Sequence, residues 1–222
     1  MSKKPARSTS SPSSARRSLS PFALLLTGTP GSGKTSLAKA WCEKSGWICL
    51  SLTELVEEKK LYSFIDPKDG AKVVKLAALE KEANLRIKAL SARSRPASAH
   101  APGILVEGHL GCEIKLDVRR VLVLRLHPDE LVQRLSLRHY LPAKLSENKM
   151  AELLDYCTLR AFENYGKKNV FEMDGTAKSL EQNLAQFEKF VSSLEQDKSF
   201  PASISWEKEL RKEAERQARS GF

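Results

Sequence analysis

The chain has 222 residues, 41% hydrophobic and 29% charged, which is typical of one main globular domain and excludes a peptide module. Its 37 Lys and Arg outnumber its 27 Asp and Glu, so the formal net charge is +10. That balance favours anionic partners such as nucleotides, nucleic acid or ribosomes without choosing among them, and no apolar run approaches the roughly 18 residues that cross a membrane.

The first 20 residues are rich in Ser, contain Lys and Arg but no acid, and include Pro5 and Pro12. Such a segment cannot bury enough apolar surface to offset the entropy that it loses on ordering, so we predict a disordered basic arm over 1–20. A passive solvated tail, an RNA-contacting arm, a transit peptide and a nuclear signal all remain open for it.

Apolar runs alternate with helical patterns through the next segment, 21–196, which we take as the main domain. Alternating strands and helices imply parallel pairing with right-handed crossovers, so we predict an α/β fold with a doubly wound parallel sheet of about five strands. Helices are expected over 33–45, from Pro128 onward and over 178–194. The five strand candidates are 22–26, 47–52, 104–106, 121–124 and 169–173.

Two segments interrupt this alternation. An insertion at about 50–90 separates the second and third strand candidates, and a charged loop at 138–147, followed by a helix, separates the fourth and fifth. We interpret the first as an acceptor-binding region and a span of about 137–147 as a lid. The insertion contains a helix whose apolar residues recur every three or four positions: Leu76, Leu79, Ala83, Ile87 and Leu90.

The end of the chain, 197–222, is polar and charged. Trp206, Leu210 and Ala214 recur every four residues there and form a thin apolar stripe. We predict a helical tail that docks on the main domain or on a partner.

The cysteines contain no Cys-x-x-Cys pair, which argues against a zinc ribbon or a zinc finger. No signal peptide precedes them, so we expect free thiols in a reducing compartment, most simply the cytoplasm. The four residues are Cys42, Cys49, Cys112 and Cys157.

The string GTPGSGKT at 28–35 matches G-x-x-x-x-G-K-[ST] at every fixed position, between an apolar strand and a helix. Its glycines let backbone N–H groups turn inward around a polyphosphate, and the following helix adds positive charge at its N-terminus. Lys34 is expected to reach the outer phosphates of ATP, and Thr35 to hold Mg²⁺ through its hydroxyl. The predicted nucleotide-binding residues of the loop are Gly31, Ser32, Gly33, Lys34, Thr35 and Ser36.

A phosphate loop alone does not name the reaction. The guanine-reading Asn-Lys-x-Asp of GTPases has only one near match, at 148–151, and this match lacks the aspartate. The Leu-Ser-Gly-Gly-Gln string of ABC proteins is missing, and the chain is too short for an AAA+ module with its helical lid domain. A small P-loop kinase remains, because such an enzyme needs an acceptor-binding insertion and a mobile lid that exclude water.

Two further strings have family-specific character. The sequence VEGHLGC at 106–112 follows the third strand candidate, and RLSLRHY at 134–140 is followed by Lys144, Glu147, Asn148 and Glu152. Together with the phosphate loop they resemble, over about 22–192, the archaeal adenylate kinase-like proteins and their eukaryotic relatives, the nuclear adenylate kinase-like ATPases of small-subunit ribosome assembly. Family members often have Asp in place of Glu107 and Gly in place of His139.

The resemblance implies a role for several residues. Arg138 would lie over ATP as a lid arginine, with Arg134 one helical turn earlier either reaching phosphate or pairing with Glu130. Glu107 ends a strand at the edge where α/β proteins bind ligands, so we expect it to hold Mg²⁺ directly or through water. His109 would position water or orient Glu107. The turn at 174–176 would lie near the adenine.

Two main functions follow as hypotheses, and a small-molecule kinase with another acceptor is a weaker third option. The first is a nucleoside monophosphate kinase that transfers the γ-phosphate of ATP to AMP or a related monophosphate, with some ATP hydrolysis. The alternative is an ATP-switched assembly factor that binds a small-subunit ribosomal protein or pre-rRNA, in the nucleus if the source is eukaryotic. Neither hypothesis requires a membrane.

Overall fold

The computed structural model describes residues 22–68, 70–93, 103–195 and 204–220. The basic arm that we predict over 1–20 therefore lies outside the described residues. Within them, no helix combines the length and the apolar character that a bilayer crossing requires.

A five-stranded parallel sheet forms the centre of the fold, with strand order β2-β5-β1-β6-β7. The sheet confirms the predicted doubly wound α/β architecture, and each strand lies at one of the five predicted positions. A separate antiparallel hairpin pairs β3 with β4. The strands are β1 (Ala23–Thr27), β2 (Ile48–Ser51), β3 (Tyr62–Ile65), β4 (Lys72–Val74), β5 (Ile104–Glu107), β6 (Arg120–Arg125) and β7 (Val170–Asp174).

Helices cover both faces of the sheet. Short 3-10 turns at His109–Cys112 and Lys167–Asn169 complete the chain path. The α-helices are α1 (Lys34–Ser45), α2 (Leu52–Lys59), α3 (Leu76–Arg93), α4 (Pro128–Ser136), α5 (Pro142–Leu153), α6 (Tyr156–Tyr165), α7 (Leu180–Glu195) and α8 (Glu207–Ser220).

Alternate residues of the central strand β1 point into two apolar layers. Leu25 packs in the layer shared with α2, α3 and α6, whereas Leu24 and Leu26 pack in the layer shared with α1 and α7. All three side chains are fully buried, because successive strand residues face opposite sides of a sheet that is covered on both. The unbroken apolar run of this strand is thus explained by its central place.

The insertion between β2 and β5 consists of α2, the β3–β4 hairpin and α3. The helical spacing correctly predicted α3, since Leu79, Ala83 and Ile87 are buried. The hairpin was not predicted. Phe64 and Ile65 are 55% and 51% exposed, so the strand that contains them shows no alternation between a buried and a solvent face.

The prediction of a charged loop over 138–147 is wrong. Helix α5 begins inside it, at Pro142, and only a short turn separates α4 from α5. Proline is favoured at the first helical position because its φ angle is already helical and its missing N–H would have had no partner there. Lys144 and Glu147 then pair along the helix at 2.9 Å.

Candidate nucleotide-binding site

The phosphate loop joins the carboxyl end of β1 to the start of α1, in the centre of the sheet. Gly28, Gly31 and Gly33 all have positive φ angles, of 136°, 89° and 101°. A Cβ atom on Gly28 would lie 2.4 Å from the carbonyl oxygen of Leu124, so only glycine fits. Helix α1 has no side-chain cap and no acid in its first turn, which leaves its N-terminus able to bind an anion.

Lys34 lies in the middle of this loop and is only 6% exposed. Its ammonium group donates hydrogen bonds to the carbonyl oxygen of Thr29 at 2.9 Å and to Ser32 Oγ at 3.4 Å. Burial lowers the pKa of Lys34, although the nearby Cys157 and Glu107 oppose this effect. The ammonium group is therefore held mainly by neutral oxygen atoms, and an anionic phosphate would stabilise its positive charge further.

Glu107 lies beside the loop at the end of β5, and only 3% of its surface is exposed. Thr35 donates to its Oε2 atom at 3.1 Å, and Ser51, at the end of the neighbouring strand β2, donates to its Oε1 atom at 2.6 Å. In the described part of the chain, Glu107 forms no ion pair with a basic side chain. A hydroxyl beside an unpaired carboxylate is the oxygen donor set that Mg²⁺ prefers, so these residues fit the metal.

His109 follows Glu107 closely but does not orient it. Its backbone is tied down by Thr27, whose hydroxyl is hydrogen-bonded to the carbonyl oxygens of Gly108 at 3.0 Å and His109 at 3.2 Å. Desolvation on its inner side and then the Lys34 ammonium lower the pKa of His109. The ring is exposed on its outer side, and the lowered pKa keeps the imidazole neutral at pH 7.

The two arginines of α4 and the turn after it occupy different positions. Arg134 pairs with Glu130 at 2.6 Å and also reaches the carbonyl oxygen of Ser32 at 3.4 Å, so both of its predicted roles are compatible with its place. Arg138 is exposed, and its side chain forms no hydrogen bond or ion pair with another described residue. The adjacent His139 has a φ angle of 59°, a left-handed conformation that suits the glycine of the resembling family.

The turn at 174–176 lies at the same edge of the sheet, where β7 ends. Its backbone is held by Asp174, whose Oδ1 atom accepts from the N–H group of Thr176 at 2.9 Å. Thr176 Oγ1 in turn accepts from the N–H group of His127 at 2.9 Å. These bonds fix the turn beside the start of α4, and the adenine role implied by the resemblance stays a prediction.

Arg125 and its partners form a buried cluster that the sequence analysis missed. Arg125 ends β6, is 1% exposed, and donates from Nε to Glu152 Oε1 at 2.6 Å. It also forms ion pairs with Glu172 and Asp155. Burial opposes its charge, but Glu152 and Glu172 outweigh this effect and raise the pKa of Arg125. An arginine directly after the apolar run 121–124 could have indicated such a cluster, because a buried charge requires partners.

The cluster contacts the phosphate loop directly. Thr29 is 1% exposed, and its hydroxyl donates to Glu152 Oε2 at 2.5 Å. Glu152 thus joins the buried arginine to a residue of the loop, 123 positions earlier in the chain.

A family model described as "AAA domain" matches residues 24–155. A protein named "Putative adenylate kinase" from Methanosarcina acetivorans is 35% identical over 187 residues, which cover 82% of this chain and 95% of that protein. Its namesake from Archaeoglobus fulgidus is 34% identical over 189 residues, covering 84% and 93%. The chain belongs to this archaeal family.

Membership confirms the resemblance to the archaeal adenylate kinase-like proteins that the sequence strings indicated. The matched family model ends at residue 155, before β7, so it describes the phosphate-loop core. The chain is too short for the helical lid domain of AAA+ proteins, and the match covers only the phosphate-loop core. A solved shikimate kinase from Bacteroides thetaiotaomicron is 17% identical to this chain, covers 77% of it and 98% of its own chain, and has a TM-score of 0.47.

Proposed function

We propose that the chain is a nucleoside monophosphate kinase that transfers the γ-phosphate of ATP to AMP or a related monophosphate, in the reaction ATP + AMP = 2 ADP. The supporting observation is the meeting of Lys34, Thr35 and Glu107 at one edge of the sheet, next to a free helix N-terminus. The family names of the relatives point in the same direction.

The loop residues would divide the binding of ATP between them. Backbone N–H groups of Gly31 and Gly33 and the hydroxyl of Ser36 would face the phosphates, and Lys34 would neutralise their outer oxygens. The N–H group of Ser32 donates to the carbonyl oxygen of Thr29 at 3.2 Å instead. Thr35 and Glu107 would hold Mg²⁺, which when bound offsets the negative charge between the β- and γ-phosphates. Loop and helix thus supply electrostatic stabilisation from groups that are already in place.

The acceptor phosphate would attack the γ-phosphorus directly, so no protein nucleophile is needed. We place the acceptor between the insertion at 50–90 and the sheet edge, where α2 begins beside Ser51 and Glu107. Closure of the short turn between α4 and α5 would bring Arg138 over the phosphates and exclude water. Neutral His109 would sit near any water that remained and would allow some ATP hydrolysis.

A panel of monophosphates tests this function. We expect ADP formation from ATP and Mg²⁺ to rise strongly when AMP is added, more than with GMP, CMP or UMP, and to stop when EDTA removes the metal. The measurement is ADP production in a coupled assay. A rate of ATP hydrolysis that no monophosphate changes would contradict the kinase proposal.

The second candidate is an ATP-switched assembly factor for the small ribosomal subunit, acting on a ribosomal protein or pre-rRNA. The net charge of +10 and the basic arm at 1–20 favour it, because clustered Lys and Arg bind phosphate backbones. The two functions are compatible, since a nucleotide-driven lid could also regulate a partner.

Deletion of residues 1–20 tests the arm. We expect weaker binding to single-stranded and structured RNA, and a shallower dependence of the binding constant on salt, because fewer phosphates would be neutralised. The measurement is RNA affinity by fluorescence anisotropy across a salt series. Identical affinities and slopes for both chains would leave the arm a passive tail.

A further inference from the structure

The C-terminal segment 204–220, here named the strap, docks on the buried arginine cluster. The N–H group of Ile204 donates to Glu172 Oε2 at 2.8 Å, and the indole N–H of Trp206 donates to Glu152 Oε1 at 3.1 Å. Trp206 is 8% exposed, and its ring lies 5.4 Å from that of His127. The tail, which we predict to dock on the main domain or on a partner, thus contacts the main domain at Glu152 and Glu172.

An ion pair fixes the helix of the strap as well. Lys149 of α5 binds Glu213 of α8 at 2.8 Å and Asp129 of α4 at 3.1 Å. Only 18% of the side-chain surface of Lys149 and of Glu213 is exposed, so this contact is better shielded than an ordinary surface pair. The helix of the strap thus contacts α5 directly and is linked to α4 through Lys149.

Consecutive hydrogen bonds run from the strap to the phosphate loop. Trp206 binds one carboxylate oxygen of Glu152, and the other oxygen accepts from the hydroxyl of Thr29 at 2.5 Å. The carbonyl oxygen of Thr29 accepts from the Lys34 ammonium at 2.9 Å. Each member of this path is less than a tenth exposed, so water does not compete for its bonds.

We propose that the strap positions the phosphate loop through Glu152, so that nucleotide affinity depends on the docking of Trp206. Glu152 and Trp206 are positioning residues that act through Thr29 and Lys34. This inference rests on the nucleotide binding proposed above, but not on the identity of the acceptor. The strap lies outside the matched family segment 24–155.

The physical reason lies in the charge of the cluster. Arg125 faces three carboxylates, those of Glu152, Glu172 and Asp155, so the cluster depends on further donors. The strap supplies two of them, one to Glu152 and one to Glu172. Without Trp206, water reaches Glu152, and solvent then competes with Thr29 for its second oxygen. A loosened Thr29 no longer fixes the ammonium that meets the phosphates.

Two replacements of Trp206 test the proposal by affinity. We expect Trp206→Ala to weaken Mg²⁺–ADP binding on the order of tenfold, the usual size of coupling between sites, as measured by isothermal titration calorimetry. Trp206→Phe keeps the ring but removes the donor, so we expect an intermediate loss and a folded protein. In the coupled assay, the KM for ATP should rise while the KM for the monophosphate stays unchanged.

Two control variants separate positioning from stability. Arg211→Ala lies on the strap, where the arginine is 75% exposed and, among the described residues, pairs with Glu207 alone, so ADP affinity should not change. Val191→Ala removes buried apolar contacts of α7 and should lower the melting temperature without altering ADP affinity. A loss of stability alone would therefore not produce the weaker ADP binding that we expect of the Trp206 variants.

Hydrogen exchange of the unmodified chain gives an independent readout. Coupling between two sites is reciprocal, so ADP should slow the exchange of α8 amides if the strap favours nucleotide binding. Unchanged α8 exchange, or Trp206 variants that melt earlier but bind ADP as tightly as the parent, would overturn the proposal. A parent chain that binds no ADP would overturn the nucleotide site and the strap together, whereas failure of the kinase assay alone concerns the acceptor.

Discussion

Replacement of Lys34 by alanine is expected to lower the rate of phosphoryl transfer on the order of 10³-fold, the scale found when one preorganised donor is removed from a transition state. Lys34 is nearly buried and bonds to the neutral oxygens of Thr29 and Ser32. Its positive charge is therefore available to the phosphate oxygens, where negative charge is redistributed during transfer. ADP and ATP should also bind more weakly, because the same ammonium contacts the ground-state phosphates.

Steady-state kinetics and calorimetry measure this effect. Lys44→Ala is a matched control, because Lys44 lies on the same helix, half exposed, and pairs with Glu188 at 2.8 Å. We expect that variant to keep its activity, since an exposed ion pair contributes little to stability and lies away from the loop. Unchanged nucleotide affinity and turnover in Lys34→Ala would show that the site has been assigned to the wrong residues.

The second large effect is expected on stability. Arg125→Met should lower the free energy of unfolding by about 3–5 kcal/mol, because removal of one member of a buried ionic cluster leaves its partners without compensation. Glu152 and Glu172 are 1% and 6% exposed and would lose their main cation. Asp155 has 37% of its side-chain surface exposed and can be hydrated, so it adds less to the loss.

Urea unfolding without nucleotide measures this loss. Arg86→Met provides the comparison, because Arg86 bonds Glu58 at 2.9 Å on the surface, where the arginine and glutamate side chains are 37% and 56% exposed. That replacement should change stability by no more than about 1 kcal/mol. If both variants lost the same small amount, the cluster around Arg125 would not hold the fold together as we describe.

The phosphate loop could be predicted from the sequence because its determinants are local. Three glycines with positive φ angles, a lysine and a threonine lie within eight consecutive positions, between a strand and a helix. The contact between Thr35 and Glu107 could also be predicted from the sequence, because the carboxyl ends of parallel strands lie at one edge of the sheet. The role of Ser51 did not follow, because a serine at a strand end has no distinctive pattern.

Other features depended on the environment of each residue. The hairpin at 62–74 escaped prediction because its exposed apolar residues resemble neither a buried strand nor a loop. The start of α5 was placed too late because charged residues masked the helical start at Pro142. The sequence left two partners possible for Arg134, a phosphate group or Glu130. Its place one helical turn after Glu130 allows both contacts.

The amino-acid sequence by itself determined the five strands of the central sheet, the phosphate loop and the carboxylate beside it, because periodicity, glycine positions and strand ends act over short stretches of chain. Only the tertiary structure decided that Arg125, Glu152, Thr29 and Trp206 form one connected group. The partners of Glu152 in this group lie 27, 123 and 54 positions away from it. No local pattern encodes such contacts, which arise when packing buries charges and each charge must then find a partner.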